Sequence, residues 1–262
     1  MSLRSIALVL CLLLVPSFTY AQDGPAPAGP VQQMAPFDLS TLSRRLDDLY
    51  TSGASIARVE LTVVTPRQNR TLRMRMWSRG EERALIVIES PSRESGTATL
   101  RRDRNLWNYL PRISRTIRVP PSMMLSSWMG SDVTNDDLTR SSSFEEDFVG
   151  TIVGRSESPS GWLIRYDARD GVVGLWRRVE YVVNDAGTLP LESRFYDRRM
   201  RLARTIRFSD VREMDGRPVP TRMTIEPHDR EGHRTEMRYL SIDFDANVPE
   251  STFSLTALER RR

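Results

Sequence analysis

Lysine is absent from the 262 residues, cysteine occurs once and histidine twice. Each scarcity removes a class of chemistry. The lone Cys11 lies inside the N-terminal apolar run, after Leu10 and before further apolar residues, which is a poor context for lipoprotein acylation. Loss of that run leaves a chain with no disulfide, no thiol nucleophile and no cysteine metal ligand. An exported chain without disulfides suits a bacterial periplasm better than a small secreted scaffold, which would be dense in cysteine. No GxSxG elbow, GxxxxGK[ST] phosphate loop or GxGxxG fingerprint is present, so serine-hydrolase, phosphate-loop and dinucleotide chemistry have no motif to rest on.

The two histidines, His228 and His233, sit in "EPHDREGHRT" beside Glu226, Asp229 and Glu231. Those are metal-donor types, but Gly232 and the polar composition read as a hairpin turn. "SDVTNDDL" lacks the DxDxDG order of a calcium loop; Thr134 and Asp137 have the spacing of a helix capping box instead. Neither a metal nor another cofactor is expected. Acidic residues are plentiful, yet no spacing selects a catalytic pair, and the chain reads as a non-enzyme.

Long apolar runs are also missing, with one exception. "MSLRSIALVLCLLLVPSFTYAQD" carries Arg4, an apolar stretch from Ile6 to Val15, Pro16, and the small residues Thr19 and Ala21. That is the form of a cleavable secretory signal, too short for a membrane span. Residues 1–21 are therefore expected to be a signal peptide. Residues 22–36, "QDGPAPAGPVQQMAP", read as a flexible leader, and 37–262 as a single domain.

All 38 basic residues are arginine, balanced against 34 acidic ones, with a sequence pI near 9.6. The two signs are interspersed, and "ERRR" at the C-terminus is the only basic block singled out at this level. Solvated strand faces explain such charge, and no nucleic-acid partner is expected.

What is present is alternation. After a helical pattern at Leu39, Leu42, Leu46 and Leu49, with Asp38 as N-cap, the apolar period becomes two. Val59/Leu61/Val63 and Leu72/Met74/Met76 alternate with charged or polar residues. So do Ile113/Ile117, Trp162/Ile164/Tyr166, Val179/Tyr181/Val183, Leu189/Leu191/Phe195, Ile206/Phe208, Met223/Ile225 and Leu240/Ile242/Phe244. "SRGEE", "DRN", "SPSG", "NDAG", "MDGRP" and "REGH" supply the turns. About a dozen consecutive antiparallel strands with a few short helices predict a mainly β fold: one large curved sheet with helices in its concavity. An outer-membrane barrel would need a charge-free band edged with aromatics. Nearly every strand here carries charge on one face.

One segment stands apart. In "RTIRVPPSMMLSSWMGSDVTNDDL", Arg115 to Leu138, a double proline is followed by Met123, Met124, Leu125, Trp128 and Met129. Pro120 and Pro121 end a strand, Ser122 can cap a short helix, and the five apolar residues would form its stripe. The stretch from Glu89 to Leu138, continued by "SSFEEDFVGTIVG", resembles the LolA-like family of outer-membrane lipoprotein-sorting proteins. The resemblance implies an open, incomplete antiparallel β-barrel with short helices as a lid over an apolar cavity. It further implies a periplasmic carrier for acyl chains of a lipoprotein or lipid, with an inner-membrane permease or transporter and an outer-membrane acceptor as partners.

On that footing Met123, Met124, Leu125, Trp128 and Met129 are expected to line the lipid site, with Met74, Met76, Trp107 and Tyr109. Arg112, Arg115 and Arg118, read as sharing one strand face beside the lid, are expected to contact head groups. The same apolar residues could instead be a fixed core plug. A periplasmic lipid or lipoprotein sensor and a lipid-modifying hydrolase remain the alternative functions. N-terminal sequencing of the exported protein should begin at or within a few residues of Gln22; an intact Met1 or an acylated Cys11 would contradict the address.

Overall fold

The structure is a computed structural model that describes residues 35–50, 53–80, 82–139, 144–172 and 175–260. The expected signal peptide and nearly all of the leader lie outside the described residues. Helix α1 (Leu39–Asp47) begins where the leucine spacing predicts, and the Asp38 carboxylate accepts the Thr41 N–H at 2.8 Å as its N-cap. Strands follow as β1 (Ala54–Val64), β2 (Asn69–Arg79), β3 (Arg83–Ser90), β4 (Ala98–Arg102), β5 (Asn105–Leu110) and β6 (Arg115–Arg118). After a link containing α2 (Asn135–Thr139) come β7 (Phe148–Glu157), β8 (Ser160–Ala168), β9 (Trp176–Val183) and β10 (Pro190–Asp197). The chain continues as β11 (Leu202–Met214), β12 (Arg217–Pro227), β13 (Arg234–Phe244) and a terminal α3 (Leu255–Arg260).

All thirteen strands form one antiparallel sheet in the order β6-β5-β4-β3-β2-β1-β13-β12-β11-β10-β9-β8-β7. Two meanders, β1 to β6 and β7 to β13, are joined along β1 and β13. The sheet is curved and not closed into a barrel. Strands β6 and β7, consecutive in the chain, are its two edges. The described residues between them, 119–139 and 144–147, belong to a link from one edge to the other, and 128–138 lie across the sheet.

Register decides which side chains face the crossing. One row runs Ala57, Met76, Ile86, Thr99, Asn108 and Ile117 across β1 to β6. The opposite face of the same strands carries Ile56, Trp77, Leu85, Leu100 and Trp107, with Val87, Ala98 and Tyr109. That second face is not wet: Val248, Phe253 of a 3-10 turn and Leu258 of α3 pack on it. The sequence assigned the C-terminal segment no such role.

A bulge between β1 and β13 corrects another expectation. Arg58 pairs with Ser241 and Val59 with Tyr239, so Leu240 is the extra residue and turns outward, leaving Tyr239, Ile242 and Phe244 buried inside. On the second meander α1 fills the same inner face, packing Leu42 and Leu46 against Ile164, Tyr166, Tyr181 and Phe195. Across it, the chain-crossing segment inserts Trp128, 3 % exposed, among Val59, Leu61, Met74, Ile86 and Ile88. Truncating so large and buried a side chain leaves a cavity, so Trp128→Ala should lower unfolding stability by about 3–5 kcal/mol. Denaturant unfolding measures it, and a loss below about 1 kcal/mol would show that the crossing is not part of the core.

Candidate functional site

The crossing segment is a strap tied to both halves of the sheet. The Trp128 indole N–H donates to Thr99 Oγ1 of β4 at 3.1 Å. Arg70 of β2 donates to the Met129 carbonyl. The Asp132 carboxylate accepts from Thr235 of β13 at 2.7 Å and from Arg230 at 2.8 Å, while its N–H donates to Thr235 at 2.9 Å. The expected capping box is present: Thr134 N–H donates to Asp137 Oδ2 at 2.9 Å, and Asp137 N–H to Thr134 Oγ1 at 3.1 Å.

Two neighbouring residues of α2 measure the curvature. Asp137 takes a bidentate pair from Arg204 of β11 at 2.7 and 2.8 Å, and the next carbonyl, Leu138, accepts from Arg101 of β4 at 3.2 Å. Strands β4 and β11 are six positions apart in the sheet, about 29 Å if it lay flat. Consecutive Cα atoms are about 3.8 Å apart. Both arginines can reach adjacent residues only because the sheet folds around the strap, which fixes the strap's side as the concave one.

The Arg204 guanidinium also lies 4.6 Å from the ring centroid of Trp176 and 4.4 Å from that of Phe195. This is a desolvated, stacked ion pair, costly to break from either side. Burial alone would raise the Asp137 carboxyl, but the Arg204 charge and the Thr134 donors hold it below its ordinary value.

The structure separates the residues that the sequence grouped. The strap is not one amphipathic helix. It has 3-10 turns at Pro121–Met123 and Trp128–Gly130, and an extended bridge pairs Ser127 with Thr134. Met129 and Gly130 adopt positive φ of 52° and 71°, which reverses the chain and prevents continuation of a helix. Trp128 consequently points inward, Met124 and Met129 are half-buried, and Met123 and Leu125 face out. Met74 and Met76 share the inner face with Trp128. Trp107 and Tyr109 lie on the opposite face, beneath α3.

Arg115 and Arg118 are three residues apart in β6, so they emerge on opposite faces, and Arg112 belongs to the 3-10 turn before the strand. The three therefore do not share one strand face; what they share is an exposed sheet edge. His228 Nε2 lies 2.9 Å from Thr205 Oγ1. No cluster of three metal-ligand side chains occurs among the described residues.

Sequence reading missed the far wall of this site. Met214 of β11, Met223 of β12 and Met237 of β13 are half-buried against the same apolar cluster as Met76 and Met129. Leu49 and Tyr50, just beyond α1, and Leu138 of the strap close on it from the other side. Tyr50 stacks on Tyr239 at 4.5 Å and donates to the Pro220 carbonyl at 2.7 Å; burial pushes both phenols up. Methionine at alternating strand positions was the available signal. The strands β12 and β13 are distant in sequence from the strap, which hid their convergence.

The arrangement resembles solved structures over most of its length. A DUF1329 family protein from Desulfovibrio piger aligns with TM-score 0.74 and 24% identity, over 83% of this chain and 96% of that one. An outer-membrane lipoprotein-sorting protein domain from Vibrio parahaemolyticus, so described provisionally, gives 0.70 and 22%, over 83% and 97%. A LolA superfamily protein from Nitrosomonas europaea gives 0.69 and 22%, over 83% and 98%. The fold is LolA-like. A family model described only as "-like: Uncharacterized protein" matches residues 80–260. No curated protein matches the chain.

The depressed Asp137 carboxyl gives a pH prediction. Its contribution to stability is present above the unfolded value of about 3.9 and is lost as pH falls through the folded one. Asp137→Asn should destabilise the protein by about 3 kcal/mol at neutral pH, because Arg204 is left buried and unpaired. The gap to the parent should stay flat down to about pH 5 and narrow below about pH 4. A gap that is independent of pH across that range would contradict the assignment.

Proposed function

From the LolA-like fold of this chain, which belongs to the family whose model matches residues 80–260, we propose that it is a periplasmic carrier that holds acyl chains of a lipoprotein or lipid on the concave face. The observation that carries the reading is the group of half-buried methionines where the strap meets the α1 extension: Met76 and Met129 on one side, Met223 and Met237 on the other. The acyl-binding surface comprises these residues with Met74, Trp128 and Tyr50.

Transfer of an acyl chain between membranes needs no catalytic group. Each buried CH₂ contributes about 0.8 kcal/mol, so a long chain leaves a bilayer only for a comparably apolar surface. A carrier must also release it. Unbranched, polarisable thioethers adapt to different chain positions without a rigid fit. The strap stays seated by Trp128, Asp132 and Asp137, so an acyl chain would enter where the thioether surface beside it is partly open. An inner-membrane permease would load such a carrier, and an outer-membrane acceptor would receive its cargo.

The test is palmitate binding to the delipidated mature protein. Met237→Asp puts a carboxylate where an acyl chain would lie, so affinity should fall by more than about tenfold. Because Met237 is only half-buried, the new charge can hydrate and the melting temperature should change little. Unchanged affinity in a folded variant would refute this site.

A further inference from the structure

Opposite charges are interspersed over the chain as a whole, but one stretch departs from that pattern. From Arg104 through Ser131 there is no Asp or Glu, while Arg104, Arg112, Arg115 and Arg118 are all exposed. Some arginines elsewhere in the sheet pair with carboxylates, as Arg73 does with Glu60, Arg207 with Glu226 and Arg222 with Glu236, while Arg58, Arg102 and Arg238 stand singly on their strands. Among the described residues Arg104, Arg112 and Arg115 have no such partner. The Arg118 guanidinium donates to the neutral Asn105 side chain and has no carboxylate partner among the described residues. Glu259 accepts from Thr116 of β6 at 2.8 Å, and three more arginines follow it in the sequence.

The same stretch concentrates exposed apolar side chains. Ile113, Ile117, Met123 and Leu125 are between 46 and 61 % exposed and fall within thirteen consecutive residues. Those residues form the turn before β6, the β6 edge itself and the start of the strap. Ile113 adjoins Arg112 at one end, Ile117 lies between Arg115 and Arg118, and Met123 and Leu125 follow at the other end. An exposed, contiguous apolar strip needs an explanation. Unpaired cations along it, with Glu259 as the carboxylate bonded there, narrow the choice: the strip is complementary to a surface that is anionic outside and apolar beneath.

We propose that the β6 edge, with the first turn of the strap, docks onto the surface of a bilayer containing anionic phospholipid. Arginines meet the head groups, while Ile113, Ile117, Met123 and Leu125 enter the boundary with the acyl region. The strap's first residues leave this edge and lead directly to Met124 and Trp128, so docking would bring the membrane to the end of the strap that covers the acyl site. This extension rests on the carrier reading; the docking surface itself rests on charge and exposure.

The experiment is vesicle flotation of the full mature protein, using phosphatidylethanolamine with and without phosphatidylglycerol. Wild-type protein should float with the anionic vesicles, less so as salt rises. Arg112→Glu with Arg115→Glu should weaken binding at least about tenfold. Ile113→Ser with Leu125→Ser should weaken it at low and high salt alike. All four side chains are exposed, so thermal melting should confirm folding of both variants, and palmitate binding should be unchanged. Equal flotation with both lipid mixtures, flotation with neither, or variants that float like wild type would overturn the proposal; the second result would leave the strip to a protein partner. Loss of palmitate binding in wild type with patch-dependent flotation would instead sink the carrier reading and leave docking intact.

Discussion

Everything else in this molecule follows from one strand pairing, that of β1 with β13. It joins two meanders into a single sheet and puts β6 and β7, neighbours in the chain, at opposite edges. The described part of the link between them lies across the concave face. Thirteen strands would span about 58 Å if flat, and a sheet this wide relieves its twist by curling. The curl and the crossing support each other: the strap fills the concavity that the curl creates, and its bonds to β4 and β11 hold the two flanks toward one another.

The strap's chemistry is uneven along its length. Trp128 enters the apolar core and is satisfied by a single hydrogen bond to Thr99. Further on, Asp132 and Asp137 are buried carboxylates, each satisfied by an arginine and local donors. Buried ion pairs give little net stability over an apolar substitute but are costly to leave half-made. They specify one seating for the strap. Between these anchors the surface is thioether, which is apolar, soft and partly open. A rigid frame with an adaptable lining suits a ligand of variable chain position better than one of fixed shape.

Much of this was legible in the sequence, in a particular order of reliability. Alternation located the strands because a half-buried strand must alternate, and Val59, Leu61 and Val63 are buried as read. The Asp38 cap and the Thr134–Asp137 box were legible because both are local. Side-chain direction was not always so. Leu240 faces out because of a bulge that only its pairing with β1 creates, and Trp107 and Tyr109 face α3 because the register of five strands puts them there. The strap's expected helix failed on backbone conformation, since Met129 and Gly130 turn left-handed between two bridged residues. Arg204 and the methionines of β12 and β13 join the site across long sequence separations that periodicity does not register.

The central claim is that an acyl chain lies among the concave-face methionines. Selective ¹³C labelling of methionine methyl groups, followed by titration with a long-chain fatty acid in solution, tests it residue by residue. The account predicts that the methyl signals of Met76, Met129, Met223 and Met237 shift together with one affinity, while those of the outward-facing Met123 and Met200 stay in place. Shifts confined to Met123 and Met200, or none at the four inner methyls at saturating lipid, would contradict it.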